Sequence, residues 1–87
     1  NLQQAKKWLN QARKSGHPGA MAVFGNILFD EGQTVRGLAF LTAALDKCST
    51  KDCIWMEPLQ EQAFSMASEE DRRGAIALSH EFAKGMD

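Results

Sequence analysis

An all-α fold of about five short helices is predicted by three features of the sequence. Helix formers (Ala, Leu, Gln, Glu, Lys, Arg, Met) dominate nearly everywhere, while the β-branched residues that strands prefer are scarce. Apolar residues recur at spacings of three and four. Glycine, proline and serine punctuate that pattern where helices stop and start, and the short connections imply antiparallel neighbours.

The first predicted helix runs from Leu2 to Lys14, with Leu2, Ala5, Leu9 and Ala12 on one face and Trp8 beside them. Gly16 suits its C-terminal cap, and Pro18 suits the first turn of the next helix. That second helix, Pro18 to Glu31, carries Ala20, Val23, Phe24, Ile27 and Leu28 as its stripe and stops at Gly32. Thr34 can cap a third helix, Val35 to Lys47, lined by Leu38, Leu41, Leu45 and Cys48, with Phe40 and Ala44 adjacent.

After the polar connection "CSTKDC", a fourth helix spans about Ile54 to Ala67, with Trp55, Leu59, Ala63 and Met66 on one face. Pro58 must lie in its first turn or kink it. The fifth helix has the clearest start. Ser68 and Asp71 stand at a capping-box spacing, and Glu69, Glu70 and Asp71 place acids at the positive end of the helix dipole. Its apolar side is Ala75, Leu78 and Phe82, with Ile76, Ala83 and Met86, and Lys84 and Gly85 close it.

Gly25 sits inside the second helix, where glycine costs about 1 kcal/mol relative to alanine. A phosphate-binding loop would need a preceding strand and a tight glycine-rich turn, and neither is present around Gly25, Gly32 and Gly37. The three glycines therefore have separate tasks. Gly32 ends a helix. Gly37 supplies a small position facing the preceding helix. Gly25 lets the second helix approach its partner where a Cβ would hold the two apart.

Composition narrows the function. The chain of 87 residues is one domain at most, and its 44% apolar content allows a modest core. Ten basic residues face eleven acidic ones, for a net charge of −1. Nucleic acid and anionic membranes both require a concentrated basic face, so neither is expected as the main partner. The longest strongly apolar run, Leu38 to Leu45, is too short to insert across a bilayer. The first residue is Asn1 and not methionine, which reads as a fragment or mature form.

No catalytic, cofactor or metal site is predicted. His17 and His80 have no second ligand at short spacing; His17 lies just before Pro18 at a helix-capping position and His80 on the last helix, and both read as structural or solvent-facing, not as the base of a nucleophile. Cys48 and Cys53 leave two readings. They pair as a local disulfide in an oxidising compartment, or Cys48 is a small core residue and Cys53 lies free in the turn.

Ala5, Leu9 and Ala12 recur as Gly37, Leu41 and Ala44, displaced by 32 residues. Ala20, Phe24, Gly25, Leu28 and Gly32, followed by Gly37, Leu41 and Ala44, resemble a Sel-one-like repeat, a relative of the tetratricopeptide repeat. The tail "PLQEQAFSMASEEDRRGAIAL" is similar to the closing helices of such arrays. The resemblance implies an antiparallel helix-pair solenoid: half a repeat in 1–16, a full repeat in 17–48 and a diverged terminal helix pair in 54–87.

It further implies a non-catalytic module or scaffold that binds another protein, as a peptide or helix, on a concave face lined by the first helix of each pair. Those residues are Ala22, Asn26, Phe29 and Asp30, then Met56, Gln60 and Phe64. Relatives that clamp a terminal carboxylate carry a basic residue one turn before an asparagine. Ala22 stands there before Asn26, so no clamp is expected. The alternative is a purely structural C-terminal cap of a longer array, in an exported bacterial envelope or toxin-neutralising protein. A Cys48–Cys53 disulfide goes with a periplasmic or secreted setting, and free thiols with the cytoplasm.

Overall fold

Asn1 opens α1 (Leu2–Lys14) by accepting the Gln4 amide on its side chain at 2.9 Å. There follow α2 (Pro18–Asp30), α3 (Thr34–Lys47), a 3₁₀ turn (Lys51–Cys53), α4 (Met56–Met66) and α5 (Glu69–Ala83). The computed structural model describes residues 1–48 and 50–85, and among them the fold is all-helical. Met86, expected on the apolar side of the last helix, lies outside the described residues.

Local chemistry explains these boundaries. Gly16 and Gly32 adopt φ of 88° and 94°, a conformation that costs a side-chain-bearing residue and costs glycine nothing. Each closes a helix in the same way. The Gly32 amide donates to Phe29 and the Gln33 amide to Leu28, and Gly16 and His17 repeat this on Arg13 and Ala12. His17 then begins α2, its Nδ1 accepting the Ala20 amide at 3.1 Å, with Pro18 in the first helical turn.

Two starts differ from expectation. Gln33, not Thr34, occupies the cap position of α3, and it makes no side-chain cap bond. The fourth helix begins at Met56, because the 3₁₀ turn takes up the residues before Ile54; Pro58 lies in the first turn. At α5, Ser68 Oγ accepts the Asp71 amide at 3.1 Å, as the capping-box spacing predicts. Ser68→Ala should cost about 1 kcal/mol and lower the melting temperature by roughly 4–8 °C, measurable by circular dichroism.

Packing centres on α3. Helices α2, α4 and α5 all rest on it, α1 rests mainly on α2, and α4 and α5 contact α3 more than each other. Gly25 of α2 and Gly37 of α3 face each other at the closest approach. A Cβ on Gly25 would lie 2.8 Å from both Gly37 O and Phe40 Cβ, and a Cβ on Gly37 would lie 2.6 Å from Phe29 N. The glycine pair thus permits backbone-to-backbone contact between antiparallel helices.

Phe40 fills the middle of the core. Its ring stacks on Phe82 at 4.0 Å between centroids and meets the edge of Phe24 at 5.3 Å. The buried Arg13 guanidinium covers it at 4.7 Å. Trp8, expected beside the core stripe, instead points away from it and is 74% exposed, because α1 meets its main neighbour only along the Leu9–Ala12–Arg13 side.

Arg72 joins α4 to α5. Its Nε donates to Phe64 O at 2.7 Å and its Nη2 to Ser65 O at 3.2 Å, satisfying carbonyls of the last turn of α4. The same guanidinium lies 4.7 Å from the Phe64 ring centroid. Segment 54–87, expected as a terminal helix pair, is thus connected through this arginine and through shared packing on α3.

Candidate protein-binding groove

The first helix of each expected pair, α2 and α4, borders a groove of about 330 Å³. Asn26, Phe29 and Asp30 form one wall, and Leu59, Gln62, Ala63 and Met66 form the other. Phe29, Leu59, Ala63 and Met66 give the groove an apolar part about equal to its polar part. Asn26 and Gln62 offer amides, and Asp30 places one carboxylate at the end of α2. Met66 is 68% exposed and places its thioether side chain at the mouth of the groove.

The expected face is only partly assembled. Asn26, Phe29 and Asp30 line the groove. Ala22 and Met56 do not: Ala22 is fully buried and Met56 is 1% exposed, both within the core. Gln60 turns toward α3 and donates to Thr42 Oγ1 at 3.4 Å. Phe64 turns toward α5, under Arg72.

The cause is the rotation of α4 about its axis. Met56 anchors the first turn in the core, which swings Gln60 and Phe64 sideways and presents Leu59, Gln62 and Met66 to the groove. The stripe Leu59–Ala63–Met66 was visible in the sequence, but its edge belongs to the groove instead of wholly to the core.

Two broader depressions, of about 460 and 400 Å³, run along α1. Glutamine and lysine side chains of α1 line much of both, with Phe24 of α2 in the first and Trp8 in the second; both are open to solvent, and neither brings α2 and α4 together. Among the described residues no group of three or more His, Cys, Asp or Glu could hold a metal ion. Nor is any helix among them long and apolar enough to cross a membrane.

Cys48 and Cys53 are joined in a disulfide, with Cα atoms 6.2 Å apart. The bond links the C-cap of α3 to the 3₁₀ turn that precedes α4. Beside it lies a second cavity of about 260 Å³, bounded by Trp55, His17 and both cysteines.

No family model matches the chain, and no solved structure matches it. Two curated relatives do. An exopolysaccharide production negative regulator of Rhizobium leguminosarum bv. viciae is 79% identical over 85 residues, which is 98% of this chain and 32% of the relative. An exopolysaccharide production negative regulator of Rhizobium meliloti (strain 1021) is 67% identical over 79 residues, 91% of this chain and 30% of the relative. The chain thus spans about a third of the length of the curated relatives it matches, and over nearly all of its own length it is similar to a segment of two exopolysaccharide production negative regulators.

Proposed function

We propose that the chain is a non-catalytic protein-binding module of a negative regulator of exopolysaccharide production, and that it acts by holding a segment of another protein in the groove between α2 and α4. The observation that carries this reading is the exposed Met66 opposite Phe29, with Asp30 at one end. Such a groove suits a helix or extended peptide that is apolar on one side and carries a basic residue beside Asp30. The Sel-one-like arrangement belongs to the same proposal, with α2–α3 as one helix pair stacked between α1 and the α4–α5 segment. The disulfide supports an oxidising compartment.

A second reading has its own support. Trp8 is exposed on the outer side of α1, as it would be where a further helix of a longer array packs. On that reading the chain is a structural cap.

The test is to place Met66→Glu and Asp30→Lys, both at exposed positions, in the regulator and to measure exopolysaccharide output. Loss of repression is expected, corresponding to roughly tenfold weaker partner binding, with the thermal melt unchanged. Full repression by a folded double variant would refute the groove reading and favour the cap.

A further inference from the structure

The groove is only as well formed as α4, and α4 is the least embedded of its bordering elements. It buries two residues, Met56 and Ala63, whereas α3 buries seven. Its N-terminus has no side-chain cap, and Trp55 in the cap position is exposed. That end is held by Met56, buried in the core, and by the Cys48–Cys53 bond three residues before it. Cys48 is half-buried, Cys53 is nearly buried, and both border the cavity that Trp55 opens to solvent. Thr50 Oγ1 lies 3.8 Å from each sulfur. A disulfide has no S–H, so the single hydroxyl proton is the donor, to one sulfur or shared between the two.

We propose that this disulfide is a redox control on the groove: oxidised, it holds α4 in place as a wall, and reduced, it releases α4 from α3. The chemistry is thiol–disulfide exchange with a dithiol reductant. A thiolate of the reductant attacks Cys48 Sγ, the more accessible sulfur, and Cys53 departs as a thiolate that accepts a hydrogen bond from the Thr50 hydroxyl. The second thiol of the reductant then displaces Cys48. Two electrons pass to the protein, the two thiol protons of the reductant end on Cys48 and Cys53, and the reductant leaves as a disulfide.

The release itself stands on the packing of α4; its effect on a partner rests on the groove reading above. The two are separated by a measurement that needs no partner. Hydrogen exchange is followed in the intact protein, oxidised and after dithiothreitol, and in a Cys48→Ser/Cys53→Ser variant without reductant. Reduction should accelerate exchange of the amides from Ile54 to Met66 about tenfold or more and leave the centre of α2 and α3 unchanged, and the double variant should match the reduced form.

Unchanged exchange in α4 overturns the proposal. So does uniform acceleration across all helices, which would make the bond a general brace. So does a double variant that keeps the oxidised pattern. Failure of the groove reading would appear elsewhere, as intact repression by the Met66→Glu/Asp30→Lys variant.

Discussion

Phe40→Ala is expected to destabilise the protein by about 3–5 kcal/mol, the range for emptying a buried aromatic site. The ring is fully buried, and it touches three groups that cannot all follow its removal. Phe82 would lose a stacked partner at 4.0 Å, Phe24 an edge contact, and Arg13 the surface its guanidinium covers. These groups come from α5, α2 and α1, so collapse of one helix into the space would pull against the other two. Total stability for a domain of this size is about 5–15 kcal/mol, so the variant should be marginal at best. Urea titration measures the loss. A loss below about 1 kcal/mol would show that the core can close over the site.

Gly25→Leu should cost at least about 2 kcal/mol by thermal melt. Even the first added carbon would fall 2.8 Å from the Gly37 carbonyl oxygen and 3.1 Å from the Leu41 amide nitrogen, both main-chain atoms that no rotamer change can move. The control is Gly74→Ala in α5. There the nearest atom to a new Cβ is Val35 Cγ1 at 3.6 Å, an ordinary contact. Alanine at that helical position should stabilise by about 0.5–1 kcal/mol. Opposite signs at two mid-helix glycines would isolate helix crossing from helix propensity. Equal signs would remove the close-approach explanation.

Much of the fold was legible because its signals are local. The five helical segments, the stop at Gly32, the proline in α2 and the Ser68 cap all follow from side chains acting within a few residues of themselves. Gly25 and Gly37 were legible too, since a mid-helix glycine among apolar residues has few other uses. The rotation of α4 was not. It depends on which residue of an apolar stripe enters the core first, and Met56 wins that place by contacts with distant helices. For that reason the sequence pattern assigns Met56, Gln60 and Phe64 to the binding face and Leu59 and Met66 to the core stripe, whereas Leu59, Gln62 and Met66 line the groove beside Asn26, Phe29 and Asp30 and Met56 enters the core. Arg13 was missed for a related reason. Its charge suggests solvent, but its guanidinium finds two aromatic faces that come from other helices. The cysteine pairing is not fixed by the sequence, because spacing alone does not determine the path of the connection.

The joint made by Arg72 has a consequence for the medium in which the protein works. Its partners are two peptide carbonyls and an aromatic ring, none of which takes up a proton. The end of α4 therefore offers Arg72 the same acceptors in acid as at neutral pH, because no group on that side of the link between α4 and α5 changes its protonation.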